Sequence, residues 1–171
     1  MFERIHLEVL MNRIKEPRNF IQVLIGPRQV GKTTLVLQLM EKIGSGCHFV
    51  SADAVAATNH TWLEEQWETG RFKMEQSKKD GFLLIIDEIQ KIDNWSEAVK
   101  LQWDNDTRNK RSLKVIVLGS SRLLLQKGLT ESLAGRFETI SPLKYSAFVI
   151  SSSSKYFPSD LTIESIDLLI I

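Results

Sequence analysis

The sequence predicts a three-layer α/β fold in which a mainly parallel, five-stranded sheet is flanked by helices. Three predominantly apolar runs, at 20–25, 82–86 and 113–118, predict buried strands, and the run at 82–86 has no polar residue, which indicates burial on both faces. Segments with helical periodicity separate these runs, and this alternation is typical of parallel strands joined by helices. A glycine-containing loop, 26–34, follows the first run and leads into a helix. The fold is therefore predicted to be organised around this strand, loop and helix.

The first half of the chain contains two predicted helices and two predicted strands. In residues 2–16, apolar and charged side chains are interleaved as in an amphipathic helix, and Pro17 ends the pattern. The helix after the loop has the apolar residues of a buried helix: Leu35, Val36, Leu37, Leu39 and Met40. The glycines of 44–46 end this helix near residue 43. Residues 47–50 then form a short second strand.

The second half continues the alternation of helices and strands. One helical stretch contains the apolar residues Trp62, Leu63, Trp67 and Phe72. A later helix has an apolar face at i, i+4 and i+8: Trp95, Val99 and Trp103. It is predicted to end near Asn105, and a short helical region at 123–134 precedes a fifth strand at 137–140. The tryptophans are predicted to pack in the core rather than to bind a ligand.

The composition excludes several classes of protein. The 171 residues leave room for one domain with a sizeable core. Twenty-two basic and 21 acidic residues give a net charge of +1, which does not indicate a dedicated nucleic-acid binder. A single cysteine, Cys47, excludes an internal disulfide and fits a reducing compartment. No signal-peptide pattern and no apolar run of about 20 residues is present, so the chain is predicted to be cytoplasmic and without a membrane contact.

The loop after the first strand has the spacing of a phosphate-binding loop, G-x-x-x-x-G-K-[ST]. Its residues are Gly26, Pro27, Arg28, Gln29, Val30, Gly31, Lys32, Thr33 and Thr34. Backbone N–H groups of such a loop converge on a phosphate at the positive end of a helix. Lys32 is predicted to reach the β- and γ-phosphates, and the hydroxyl of Thr33 to ligate Mg²⁺. Since a strand precedes the loop and a helix follows it, the sequence predicts that the chain binds a nucleoside triphosphate.

Two acidic residues end the buried strand at 82–86. Asp87 is predicted to be held at the metal, usually through a water, and Glu88 to orient and activate the attacking water. The alternative is a strand that ends in two solvated acids. The phosphate-binding loop that follows another strand of the same predicted sheet favours the catalytic interpretation.

Two further sites complete the set of catalytic candidates. Ser120 and Ser121 follow the fourth strand, and by its offset Ser121 is preferred as a sensor of the γ-phosphate. The alternative for both serines is a turn at the end of the strand. Arg136 precedes the last strand and is a candidate arginine finger that acts on the nucleotide of a neighbouring subunit. Its alternative is a pair with a surface acid. With Lys32 and Glu88, Ser121 and Arg136 form the predicted catalytic group.

Together these motifs resemble the AAA+-like P-loop ATPases of bacteria and archaea, in which the ATPase domain is commonly followed by a C-terminal domain of unknown function. The resemblance covers about residues 1–148. It rests on an ordered set of motifs: Gly26 to Thr34, Asp87-Glu88-Ile89-Gln90 with Trp95, Leu118-Gly119-Ser120-Ser121, Ser132 to Arg136, and Pro142-Leu143 with Tyr145 and Phe148. It implies the roles given above for Lys32, Thr33, Asp87, Glu88, Ser121 and Arg136.

The resemblance also implies a strand order and a nucleotide. P-loop ATPases with an additional catalytic glutamate have the sheet order 5-1-4-3-2, and the strand near 47–51 suits this branch. We therefore expect this order by analogy. ATP is favoured over GTP because the sequence has no Asn-Lys-x-Asp run, and Mg²⁺ is expected as the metal.

The end of the chain differs from the resembled family. Residues 149–171 read as a serine-rich linker and a short tail, so a helical lid is expected to be absent and the chain to be shortened or truncated. The main hypothesis is a Mg²⁺-dependent ATPase core that couples its ATP state to the arrangement of subunits in a homo-oligomer or of an unidentified protein or DNA partner. The first alternative is a nucleotide-gated binding module with little turnover. The second is a small-molecule kinase, for which no acceptor pocket can be identified in the sequence.

Overall fold

The computed structural model contains a parallel sheet that is bordered by helices on both faces. It describes residues 2–59, 61–77, 81–120 and 132–140. In chain order, the strands are β1 (Ile21–Ile25), β2 (Cys47–Ser51), β3 (Leu83–Asp87), β4 (Lys114–Gly119) and β5 (Phe137–Ile140). The helices are α1 (Phe2–Lys15), α2 (Lys32–Ile43), α3 (Thr61–Ser77) and α4 (Trp95–Arg108), with single 3-10 turns at Gly44–Gly46 and Ile89–Lys91.

The strand order within the described residues is β2-β3-β4-β1-β5, and every pairing is parallel. This is the order 5-1-4-3-2 read from the other edge, so the predicted fold is confirmed. The strand that precedes the phosphate-binding loop, β1, lies between β4 and β5. The strand that carries the acidic pair, β3, lies on the other side of β4. All these strands have their carboxyl ends at one edge, which brings the two motifs to the same end of the sheet.

Neighbouring residues of each central strand pack against opposite helical layers. In β3, Leu84 and Ile86 belong to a core that includes residues of α3 and α4: Leu63, Trp67, Trp95, Val99 and Trp103. Leu83 and Ile85 belong to a second core with residues of α1 and α2: Leu7, Leu10, Leu35, Val36 and Leu39. Burial on both faces explains why residues 83–86 of β3 are all apolar and do not alternate with polar residues.

Three apolar residues that the sequence placed in buried elements are exposed. Phe20 lies outside β1 and is 41% exposed, so the first strand is one residue shorter than predicted. Leu37 in α2 is 48% exposed and Phe72 in α3 is 60% exposed. Leu37 and Phe72 belong to apolar-rich segments, but each lies on the side of its helix that faces away from the core. Trp67 and Trp103 are buried and Trp62 packs at the edge of the core, as predicted.

Helix α4 continues to Arg108, beyond its predicted end near Asn105. The extra turn is supported by Asn109, whose backbone N–H and side-chain Nδ2 both donate to the carbonyl oxygen of Asn105, at 3.0 and 2.8 Å. These bonds satisfy a carbonyl that a helix end would otherwise leave open. The predicted helical region at 123–134 lies outside the described residues except for its last three, which form a turn.

Helix α4 also contains a buried carboxylate that holds it to α3. Asp106 is fully buried and accepts hydrogen bonds from Trp67 Nε1 and Arg71 Nε, both at 2.7 Å. Arg71 is itself only 3% exposed, and its Nη2 donates to the carbonyl oxygen of Gln102 at 3.2 Å. The two helices are therefore joined by a buried, hydrogen-bonded ion pair, which Glu68 and Arg111 extend towards the surface.

Among the described residues, no helix is both long enough and apolar enough to cross a membrane.

Candidate functional site

A cavity of about 660 Å³ lies at the carboxyl end of the sheet, where β1, β2 and β3 end. Its walls come from the phosphate-binding loop and the start of α2, from the segment after β2, and from the segment after β3. The lining residues are Arg28, Gln29, Gly31, Lys32, Thr33, Thr34, Ser51, Asp53, Asp87, Glu88 and Lys91. The structure thus brings together the loop and the acidic pair, which are more than fifty residues apart in the sequence.

The loop turns directly into α2 at Gly31, which has a left-handed backbone with φ of +83°. No atom lies near a Cβ built at this position, so the glycine is required by its backbone conformation rather than by space. The first intrahelical hydrogen bond runs from the N–H of Leu35 to the carbonyl oxygen of Gly31, at 2.9 Å. The N–H groups of Lys32, Thr33 and Thr34 therefore begin the helix at the cavity wall, as in an anion-binding helix terminus.

Lys32 extends back across the loop that precedes it. Its side chain is buried, and Nζ donates to the carbonyl oxygens of Gly26 and Pro27, both at 2.7 Å. Pro27 has no N–H, but its carbonyl oxygen is one of the two acceptors. Burial lowers the pKa of Lys32, while the nearby charges of Glu88 and Asp87 oppose this shift. The ammonium is thus held in the loop by two neutral acceptors, which an anionic phosphate can replace with a stronger charge-assisted bond.

Thr33 and Asp87 are in direct contact across the cavity floor. The hydroxyl Oγ1 of Thr33 donates to Oδ2 of Asp87 at 3.1 Å, and the N–H of Glu88 donates to the other oxygen, Oδ1, at 2.9 Å. Burial raises the pKa of Asp87, and these two hydrogen bonds oppose the shift. The carboxylate is thus buried with two hydrogen bonds, and an Mg²⁺ ion beside it would favour its charged form.

The pair of Thr33 and Asp87 fits a magnesium ion. Both residues offer hard oxygen ligands, which Mg²⁺ prefers, and Mg²⁺ usually keeps several waters and uses only one or two carboxylates. Because the two oxygens are 3.1 Å apart, Thr33 could hold the ion directly and Asp87 could hold it through a bound water. No cluster of three or more His, Cys, Asp or Glu side chains occurs in the described residues, so the site differs from an all-protein metal cage.

Glu88 lies beside Asp87 on the cavity wall and has a left-handed backbone with φ of +52°. Its carboxylate oxygen Oε2 accepts hydrogen bonds from the Oγ of Ser120, at 3.1 Å, and from the Nε2 of Gln90. Of the two serines considered at the end of β4, Ser120 is thus seen in contact with Glu88. The preferred sensor, Ser121, lies outside the described residues. Sequence reasoning noted Gln90 within a motif but gave it no role.

Sequence reasoning also missed a pair of charged residues, Asp53 and Lys91, in the lining of the cavity. Asp53 follows β2, and Lys91 ends the 3-10 turn after β3; the two form an ion pair. The hydrogen bond from Lys91 lowers the pKa of Asp53. Because β2 is parallel to β3, the carboxyl ends of both strands lie at this edge of the sheet. The expected strand order could therefore have predicted that Asp53, which follows β2, lies near the cavity.

Arg136 is not brought to this cavity. Its guanidinium forms a two-pronged ion pair with Asp104 of α4, with Nε to Oδ1 at 2.7 Å and Nη2 to Oδ2 at 3.0 Å. The hydrogen bond to Asp104 raises the pKa of Arg136. Both side chains are about one-third exposed, which matches the alternative of a pair with a surface acid. The role of Arg136 as an arginine finger stays a prediction.

The amino-acid sequence is similar to those of known proteins. Residues 18–154 match the AAA domain family. The chain is 31% identical over 159 residues to the uncharacterized protein MJ1544 of Methanocaldococcus jannaschii, a match that covers 91% of this chain and 34% of that protein. The chain therefore spans about one third of the length of that curated relative.

The fold is also similar to that of a solved structure, the Thermotoga maritima RuvB Holliday junction branch migration motor. The TM-score is 0.52 at 18% sequence identity, over 87% of this chain and 49% of the other. A variant of the same motor gives the same values. At this identity the likeness concerns the fold alone. The family match, the strand order and the loop beside the acidic pair lead to one conclusion: the chain belongs to the AAA domain family of P-loop ATPases.

Proposed function

We propose that the chain binds ATP with Mg²⁺ in this cavity and hydrolyses the γ-phosphate bond. One observation carries the proposal: Lys32, the Thr33–Asp87 pair and Glu88 line a single cavity at the start of a helix. No other described part of the chain combines a phosphate-binding loop with an acidic pair. The residues present are those that phosphoryl transfer to water requires, namely groups that position the phosphates, hold a metal and orient a water.

Each residue has a separate task in this proposal. The helix start and Lys32 bind the β- and γ-phosphates, for which Lys32 gives up its bonds to the loop carbonyls. Thr33 and Asp87 hold Mg²⁺, which neutralises charge on the phosphate oxygens when bound. Glu88 accepts a hydrogen bond from the attacking water, and thereby orients it and receives its proton. The phosphate-binding residues thus determine affinity, and Glu88 determines turnover.

Two substitutions separate binding from turnover. Lys32→Ala should abolish binding of a fluorescent ATP analogue, whereas Lys42→Ala, an exposed lysine at the end of the same helix, should bind like the parent. Glu88→Gln should retain ATP binding and reduce the rate of phosphate release about 10²- to 10⁴-fold, the usual contribution of a general base. Hydrolysis by Glu88→Gln at the parent rate would show that the catalytic assignment is wrong.

A second candidate function is a nucleotide-gated module that binds a protein or DNA partner with little turnover. The Arg136–Asp104 pair favours it, because both prongs of the guanidinium are bound to a carboxylate of the same chain and would have to be released before the arginine could reach a neighbouring nucleotide. Phosphate release per subunit, measured against protein concentration, distinguishes the two. A specific rate that rises with concentration and disappears in Arg136→Ala supports a homo-oligomer with a finger in trans, whereas no release at any concentration supports the module.

The cytoplasmic location stays a prediction.

A further inference from the structure

The amide of Gln90 lies between the acidic segment after β3 and the end of β4. Its Nε2 donates to Oε2 of Glu88 and, at 3.3 Å, to the Oγ of Ser120. The Oγ of Ser120 donates to the same Oε2 at 3.1 Å. Three side chains thus form a closed triangle in which both donors meet one oxygen of the catalytic candidate.

The orientation of this amide is determined by the carboxylate. Only Nε2 can donate a hydrogen bond, so the reverse orientation would place Oε1 of Gln90 against the negative oxygen of Glu88. In the observed orientation Oε1 of Gln90 is buried, and none of the described residues forms a hydrogen bond with it. An acceptor that is buried without a partner is unfavourable. The hydrogen bond to Glu88 therefore determines the orientation of the amide, although the amide oxygen is left without a partner.

The other end of Glu88 is fixed by its backbone. With φ of +52°, the residue adopts a conformation that side chains other than glycine rarely take. The 3-10 turn that follows holds this conformation, since the N–H of Lys91 donates to the carbonyl oxygen of Glu88 at 3.0 Å. The same turn carries Gln90. Backbone and carboxylate are thus held by one short segment, and the second oxygen, Oε1 of Glu88, accepts no hydrogen bond from the residues that the structure describes.

We propose that Gln90 is a positioning residue for ATP hydrolysis: its amide holds Oε2 of Glu88, so that Oε1 is directed to the attacking water. The inference rests on the proposed ATPase function. Gln90 is absent from the cavity lining, so in this proposal it acts through Glu88 and not on the nucleotide. Removing its amide should therefore change turnover and leave nucleotide binding unchanged.

The test compares Gln90→Met, which keeps the length of the side chain but has no amide, with Gln102→Met. Gln102 is a buried glutamine of α4 that does not line the cavity. We expect kcat of Gln90→Met to fall about 10- to 100-fold, as for residues that orient the ligands of metal sites, with KM within about twofold of the parent value. Gln102→Met should keep the parent kcat. Gln90→Glu has the same size, lacks the donor and adds a like charge, so its kcat should fall further.

A double substitution identifies the residue through which Gln90 acts. If Gln90 only positions Glu88, Gln90→Met should cause no further loss of rate in the Glu88→Gln background, measured in single turnovers. A multiplicative loss, a raised KM with unchanged kcat, or a Gln90→Met rate equal to that of Gln102→Met would each overturn the inference. The proposed function fails in a different way, namely if the parent protein releases no phosphate. An active parent, an inactive Glu88→Gln and a fully active Gln90→Met would reject the inference alone.

Discussion

The buried ion pair between α3 and α4 makes a stability prediction with an internal control. Asp106→Asn keeps the size of the side chain but replaces one carboxylate oxygen by an NH₂ group. In the parent protein, Trp67 Nε1 and Arg71 Nε each donate to one carboxylate oxygen of Asp106. In the variant, one of these two N–H groups would lie against the NH₂ group of the asparagine and would lose its acceptor. Arg71, which is 3% exposed, would also lose its buried countercharge and keep only its pair with the exposed Glu68. Asp104→Asn is the matched control, since it makes the same chemical change two positions earlier in the same helix.

The expected difference follows from the burial of the two pairs. Removing one partner of a buried pair typically costs about 3–5 kcal/mol, because a buried charge is left uncompensated. Asparagine retains one acceptor, so we expect a loss near the lower limit, about 3 kcal/mol. Asp104 and Arg136 are each about one-third exposed, and pairs of this kind contribute about 0–1 kcal/mol. The two variants should therefore differ by about 2 kcal/mol or more in the free energy of unfolding.

Urea unfolding, followed by the fluorescence of the four tryptophans, measures this difference. With a slope of about 2 kcal/mol per M, a loss of 3 kcal/mol lowers the midpoint by about 1.5 M. The slope itself should stay the same, because both variants expose the same surface on unfolding. Equal midpoints for Asp106→Asn and Asp104→Asn would refute the reasoning, since burial would then not determine the strength of the pair.

Further predictions concern the metal end of the cavity. Thr33→Val removes the hydroxyl next to Asp87 and should weaken ATP binding about 10- to 100-fold in the presence of Mg²⁺, but not in EDTA, when measured by calorimetry. Thr69→Val makes the same change at a threonine of α3 that does not line the cavity, and it should change neither value. Because burial raises the pKa of Asp87, acidification should remove the Mg²⁺-dependent part of the affinity at a higher pH than expected for an exposed aspartate. The same shift makes the ionised carboxylate destabilising in the nucleotide-free protein. Asp87→Asn should therefore raise its melting temperature at pH 7, and this gain should disappear as the pH falls below the ordinary value of 3.8.

Much of the fold followed from the sequence because burial on both faces leaves a clear pattern. Strands β3 (Leu83–Asp87) and β4 (Lys114–Gly119) each contain four consecutive apolar residues, and parallel pairing then brings the loop and Asp87 to one edge. The exposed Leu37 and Phe72 could not be recognised in this way, because hydrophobicity does not show which side of a helix meets the sheet. The direction of a side chain depends on the packing angle of the whole helix.

The contacts that complete the site were predicted less well, since they join segments far apart in the chain. Gln90 meets Ser120 only because β3 and β4 are neighbours in the sheet, and Lys91 meets Asp53 only because β3 is also next to β2. The local sequence around each of these residues is typical of a polar turn. Asp106 was missed for a related reason, since a charged residue in an amphipathic helix is ordinarily on its solvent side.

The two buried aspartates show how the same side chain serves stability in one place and binding in another. Asp106 is neutralised by a guanidinium and receives a second donor, so its charge is compensated within the protein. Asp87 receives only a hydroxyl and a backbone N–H, and no lysine or arginine of the described chain forms an ion pair with it. Burial raises the pKa of Asp87, and the two hydrogen bonds and the charge of Lys32 oppose this shift without cancelling it. A cation bound next to Asp87 would favour its charged form. A buried carboxylate beside the hydroxyl of Thr33, without an ion-pair partner among the described residues, thus supports the proposal of a magnesium site at this edge of the sheet.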